Sequence, residues 1–148
     1  MLYTDVLIIG SGIAGASAAL KLAENLDLHI TLMTREPDPL ESNSRYAQGG
    51  IVGRGPDDDA ETLVADILIA GAGASLPQMA RILAEEGPPL FKKLLVDMAA
   101  VPFNRGDNGE IAWGQEAAHS HRRIAHVNDS TGAAIIEGLH ALLRQRPN

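Results

Sequence analysis

The chain has no cysteine, which excludes disulfides, zinc-thiolate centres, iron-sulfur ligation and thiol nucleophiles within it. It has few aromatic residues, 3%, and no basic stripe interleaved with them. With a formal net charge of -7, that argues against nucleic acid as a partner, because a polyanion needs a cationic surface. No stretch reaches the roughly 20 apolar residues that a membrane helix requires, so no membrane partner is expected. The run from Val6 to Leu20 carries no charge, but nothing basic precedes it, and Asp5 stands where the positive region of a signal peptide belongs. A soluble, cytoplasmic chain is the expectation.

What the sequence has in excess is glycine. The 15 glycines of these 148 residues cluster beside predicted elements, so they read as turns and close backbone approaches rather than low complexity. A hydrophobic content of 45% with 21% charged residues suits one globular core. An acidic chain that holds an anionic ligand must do so locally, through backbone amides.

Asp5-Val6-Leu7-Ile8-Ile9-Gly10 is an apolar run headed by an acid and closed by glycine, the pattern of a parallel strand buried on both faces. Ile13 to Glu24 reads as an alanine- and leucine-rich helix, and His29 to Met33 as a second strand. Strand, turn, helix and strand make a βαβ unit. From Arg35 to Gly55, prolines, serines and paired glycines forbid a regular helix, and a loop so long in a compact domain is usually functional. Asp57-Asp58-Asp59 opens a helix whose Leu63, Val64, Ile67 and Leu68 share one face, ending at Gly71 or Gly73. Pro77 starts a short helix through Glu86, and Pro88-Pro89 opens another carrying Leu90, Phe91, Leu94, Leu95 and Met98 to the core. Asp107-Asn108-Gly109 is the turn of a small hairpin between Phe103 and Trp113. Ser130 or Thr131 caps a last helix to Arg146.

A dinucleotide-type sheet needs a third parallel strand, and none follows Met33. The expected fold is therefore α/β: a Rossmann-like βαβ unit with additional helices and a small β hairpin, its sheet left incomplete by truncation.

Gly10-Ser11-Gly12-Ile13-Ala14-Gly15 is a GxGxxG placed directly between that first strand and helix. In this setting Gly10 allows the tight turn, Gly12 lets a pyrophosphate approach the backbone, and Gly15 permits close helix-strand packing. The usual acidic partner at the end of the second strand is missing, for Arg35 stands there. A basic residue at that place could meet a 2'-phosphate, so NADP rivals FAD at this point. His119, His121 and His126 could be read as metal ligands, but no suitably spaced acid or thiol completes a set, and no metal is expected.

Ser42-Asn43-Ser44-Arg45-Tyr46-Ala47-Gln48-Gly49-Gly50-Ile51 resembles the second FAD-contacting loop of the L-aspartate oxidase family, within the succinate dehydrogenase and fumarate reductase flavoprotein superfamily. Asp66 to Gly73 resembles the family's helix ending in Ala-Gly-Ala-Gly. Glu116-Ala117-Ala118-His119-Ser120, Arg123-Ile124-Ala125-His126 and Asp129-Ser130-Thr131-Gly132 resemble its Glu-Gly-Gly-His-Ser, Arg-Ile-x-His and Asp-x-Thr-Gly succession, with alanines in place of the glycine pair.

The resemblance implies FAD as cofactor, contacted by residues 10–15, Arg35, and Asn43, Ser44, Arg45, Tyr46, Ala47, Gln48, Gly49 and Gly50. Asn43 falls where membrane-complex members place the histidine that links covalently to FAD, which implies noncovalent binding. Glu116 falls close to the substrate ammonium, where a carboxylate favours an amino acid over a plain dicarboxylate. His119 falls on the flavin and substrate side. The implied activity is oxidation of L-aspartate to iminoaspartate, with dioxygen or fumarate as acceptor, in de novo NAD synthesis, with quinolinate synthase as a partner; the alternatives are a fragment of a soluble fumarate reductase or succinate dehydrogenase-like flavoprotein, or a non-catalytic nucleotide-binding remnant. Residues 1–148 then form the amino-terminal part of an FAD-binding domain, without the substrate-capping and carboxy-terminal domains or the family's catalytic arginine.

Overall fold

The computed structural model describes residues 3–148. Strand β1 (Val6–Ile9) pairs in parallel with β2 (Ile30–Met33), Val6 opposite Ile30 and Ile9 opposite Met33. A parallel pair needs a crossover, and helix α1 (Ile13–Leu22) supplies it. The expected βαβ unit is present.

Burial of β1 departs from expectation. Leu7 and Ile9 are 51% and 77% exposed, whereas Val6 and Ile8 are half-buried. A Cβ placed on Gly15 of α1 would lie 3.3 Å from the Ile8 side chain, so α1 covers that face. A strand is apolar on both faces when layers lie on both. Only one of the two is covered in this chain.

Helix α2 (Ala60–Ala70) starts where Asp59 accepts from the Thr62 amide at 2.7 Å. Its Leu63 and Val64 are buried with Ala80 and Ala84 of α3 (Pro77–Leu90), and Ile67 and Leu68 pack against them. Pro88 and Pro89 were expected to separate two helices, but α3 runs through both and continues as wide π turns over Phe91–Met98. Proline withholds an amide and so disturbs the i-4 ladder. The ladder adjusts by widening rather than ending, and the Ala99 amide leaves it on the carbonyl of Leu94, five residues back, at 2.9 Å. Phe91 and Leu95 reach the core, but Leu90 and Met98, expected there too, stay exposed.

The turn at Asp107-Asn108-Gly109 forms as expected. Gly109 has φ +78°, the Gly106 amide donates to Glu110, and Arg105 bridges Ile111. Not anticipated was β3 (Ile51–Val52), inside the long loop, which pairs antiparallel with β4 (Ile124–Ala125). Two-residue strands carry no readable period. Helix α4 (Thr131–Leu143) closes the chain, three residues short of the expected Arg146. It buries Ile135 and Leu139 against Ala16 and Leu20 of α1, with Phe91, Leu95, Val101 and Phe103 completing the main core. Phe91 holds Phe103 and Trp113 at ring-centroid distances of 5.1 and 5.9 Å. Among the described residues no helix is long and apolar enough to cross a membrane.

Candidate cofactor-binding site

The glycine turn sits at the carboxyl end of β1, where its Gly10 amide donates to the Met33 carbonyl of β2 at 2.8 Å. Gly10 has φ +109°, a conformation that disfavours any side chain. A Cβ on Gly15 would fall 1.9 Å from the Gly10 carbonyl oxygen. Only glycine lets α1 start this close to the strand that feeds it. Gly12 occupies the N-cap position of α1 with extended backbone and offers no capping side chain. The positive end of the helix is thus held against a bare backbone turn.

The segment predicted from the family loop folds onto this turn. Asn43–Tyr46 forms one turn of 3-10 helix, and Ser44 Oγ accepts from the Ile13 amide at 3.2 Å. A Cβ on Gly12 would lie 3.0 Å from that oxygen and 3.8 Å from Ser42 Oγ, so both serines stand against the glycine turn. Beneath them, Gly132 of α4 is pressed so close that a Cβ would fall 2.0 Å from the Ser44 carbonyl. The Gly132 amide donates to Ala47 at 2.9 Å. Gly50 has φ +96° and backs onto Ile124 and Ala125. Ala47, Gln48 and Gly49 are exposed, as is Tyr46, whose hydroxyl donates to Glu41 at 2.5 Å. That bond raises the Tyr46 phenol above its ordinary value. Arg35 projects into solvent just beyond β2, 92% exposed and paired with Glu36 at 2.8 Å.

Three polar atoms of these segments are buried without a partner: Ser11 Oγ, Ser42 Oγ and Arg45 Nη1. Two hydroxyls and a guanidinium nitrogen, with the amides of a helix start, make a donor set for an anion. A dinucleotide pyrophosphate fits it.

Glu116 and His119 lie on an excursion between Gly114 and Ile124, which bridge each other at its root. Since β4 pairs with β3, that root stands beside residues 50–52. Glu116 is solvent-exposed. Ala118, where the family motif has glycine, has φ +67°, a left-handed conformation that costs an alanine about 1–2 kcal/mol. The backbone thus keeps the shape that glycine would favour.

Sequence reasoning missed what anchors this excursion. Arg123, singled out in the sequence only as the head of the Arg-Ile-x-His succession, is fully buried. Its Nε and Nη2 donate to Asp58 at 2.9 and 2.6 Å, and its Nη1 donates to Asp66 at 2.6 Å. Burial opposes the guanidinium charge, but the hydrogen bonds to both carboxylates outweigh it and raise Arg123 above its ordinary value. Burial likewise pushes the Asp66 carboxyl up, and the bonds from Ser120 and Arg123 more than reverse this and hold it below the usual range. His140 was missed as well. It is buried, with Nε2 donating to the Ser11 carbonyl at 2.9 Å, and so props the glycine turn from beneath. The partners are 57, 65 and 129 residues apart in sequence, and no local pattern marks them.

The model of the FAD binding domain family matches residues 5–147. The chain belongs to that family. It is 41% identical to the L-aspartate oxidase of Neisseria meningitidis serogroup B over 97% of its own length, and 40% identical to that of Halobacterium salinarum over 90%. It spans 28% and 25% of those two proteins, about a quarter of each. Among solved structures, an E. coli quinol fumarate reductase flavoprotein superimposes with TM-score 0.91 at 23% identity, over 97% of this chain and 24% of that one. The Sdh1 complex of Mycobacterium smegmatis gives 0.84 at 26%, over 94% and 23%. Against this FAD-binding domain the expected cofactor and fold class hold.

Proposed function

We propose that this chain is the FAD-binding part of an L-aspartate oxidase and holds the flavin dinucleotide noncovalently. The observation that carries this reading is the cradle in which the glycine turn, Ser42, Ser44 and Arg45 converge on the start of α1 with unpaired donors. Similarity to L-aspartate oxidases at 35–41% identity over nearly the whole chain supports the choice within the family. When bound, the flavin supplies the electron acceptor.

The chain's own residues bind and orient. The backbone of residues 10–15 and the hydroxyls of Ser11, Ser42 and Ser44 take the pyrophosphate. Arg35 would meet the adenosine end, and residues 45–50 would hold the ring, with Gln48 hydrogen-bonding its polar edge. Asn43 has no nucleophile to form a link to the ring. Glu116 pairs with the substrate ammonium and His119 orients the acid beside it, in a cytoplasmic enzyme whose iminoaspartate passes to quinolinate synthase.

The test is an FAD titration of the chain followed by acid precipitation. Flavin released into the supernatant is the expected result, and flavin retained in the pellet would refute noncovalent binding. In the longer protein, Glu116→Gln is expected to weaken L-aspartate turnover while leaving FAD affinity unchanged. Equal turnover in both would remove the substrate role of Glu116.

A further inference from the structure

We propose that Arg123 is a positioning residue that fixes His119 in the Nε2–H tautomer, so that His119 meets an acidic ligand group as a hydrogen-bond donor. The inference rests on the reading of His119 as a substrate-side residue. Its physical content is independent of which acid is bound.

Arg123 Nη1 lies 3.2 Å from Nδ1 of His119. A guanidinium has five N–H donors, no acceptor, and keeps its charge at any accessible pH. A hydrogen bond between the two therefore exists only when Nδ1 presents its lone pair. The neutral ring must then carry its proton on Nε2. Arg123 cannot turn aside to permit the other tautomer. Its Nε and Nη2 are committed to Asp58 and the first hydrogen of Nη1 to Asp66, within a fully buried side chain. The second hydrogen of Nη1 is the one directed at His119.

The backbone of His119 is held equally firmly. Its amide donates to the Glu116 carbonyl at 3.2 Å, and Gln115 Nε2 donates to its carbonyl at 2.8 Å. With backbone and Nδ1 both held, the ring has one orientation, and Nε2 lies on the side away from Arg123. His119 borders a groove of about 680 Å³ between α1 and the helical arm formed by α3 and its continuation over Phe91–Met98, alongside Ile51, Val52, Leu63 and Phe91. The charged groups around it are Glu116 on its own excursion, Asp58 and Asp66 behind Arg123, and Lys21, Glu24 and Lys93 along the groove. His121 joins the same network through Ser120 Oγ, which donates to Asp66 at 2.9 Å.

A fixed Nε2–H defines what His119 does. It donates to a carboxylate or carbonyl oxygen, and it does not accept a proton at that atom while Arg123 holds Nδ1. Its role is orientation of an acid, with Glu116 facing the opposite charge.

Long-range proton-nitrogen NMR of the histidine-labelled chain, with FAD added and at a pH well above imidazole's ordinary range, reads the tautomer directly. His119→Gln assigns the signal. The expected result is Nε2–H alone in the folded chain and a mixture of tautomers in the same chain unfolded in urea. A mixture in the folded state, or Nδ1–H, would overturn the inference, and the wild-type spectrum decides this whether or not Arg123 variants fold. Arg123→Lys, with a shorter donor, should restore part of a selectivity that Arg123→Met loses. In the longer protein, His119→Phe should raise the KM for L-aspartate about tenfold to hundredfold, as loss of a hydrogen bond to a charged group does. His119→Gln, whose amide N–H can stand near Nε2–H, should recover most of that loss, and equal KM values for the two variants would refute the donor role. Failure to bind FAD in the same samples would sink the functional reading alone, whereas a tautomer mixture with FAD bound would sink this inference alone.

Discussion

Replacing Arg123 by methionine is the most informative perturbation of the fold, because one side chain joins α2 to the excursion that carries Glu116 and His119. The guanidinium makes three bonds of 2.6–2.9 Å to two carboxylates, and the side chains of Asp58 and Asp66 are only 1% and 10% exposed. Methionine fills much of the volume but leaves both carboxylates in a site that water does not reach. Removing one member of a buried pair costs about 3–5 kcal/mol, far more than the pair contributes relative to a well-packed apolar replacement. Against a typical domain stability of about 5–15 kcal/mol, that is a large share.

The pH dependence carries a sign. In the wild type the folded Asp66 carboxyl lies below its ordinary value, so its contribution is complete above the unfolded value of about 3.9 and is lost as pH falls through the folded value. In Arg123→Met the Asp66 carboxylate keeps its bonds from Ser120 but loses the guanidinium that helps offset its burial, so its carboxyl rises relative to the wild type, and the deficit is largest near neutrality and shrinks as acid neutralises it. Urea unfolding of both proteins across pH measures the difference. Asp58→Leu added to Arg123→Met should recover part of the loss. A deficit below about 1 kcal/mol at neutral pH, or one that grows on acidification, would refute the buried network.

Two glycines separate fold from cofactor. Gly15→Ala drives a Cβ to 1.9 Å from a backbone oxygen and should cost about 2–3 kcal/mol, read by thermal unfolding without FAD. Gly49→Ala meets nothing within 4 Å and should leave stability within about 0.5 kcal/mol while weakening FAD binding in a titration. His140→Leu leaves the buried Ser11 carbonyl unpaired and should cost about 1–3 kcal/mol. It should also weaken FAD binding although residue 140 lies beneath the turn, and unchanged affinity would show that the turn holds its shape without this support.

The glycine turn and the elements that flank it were legible because their signals are local. A glycine turn between a β run and a helical run is a statement about neighbouring residues, and the structure realises it with Gly10 at φ +109° and Gly15 against Gly10. The caps and stripe of α2 and the turn at Gly109 were legible for the same reason. The two prolines of the helical arm misled because a local rule met a tertiary one. Burial of Phe91 and Leu95 keeps the arm continuous, and widened turns absorb the lost amides.

By itself, then, the sequence determined the βαβ unit, the glycine turn and the loop that joins it, since each is written in residues a few positions apart. Only the tertiary structure decided that β1 has one open face, that β3 and β4 root the Glu116 excursion beside residues 50–52, and that Arg123 and His140 are interior supports rather than solvated groups. An arginine looks the same in sequence whether it faces water or two buried aspartates. What distinguishes the cases is the desolvation that folding imposes and the partners it brings from 57 and 65 residues away.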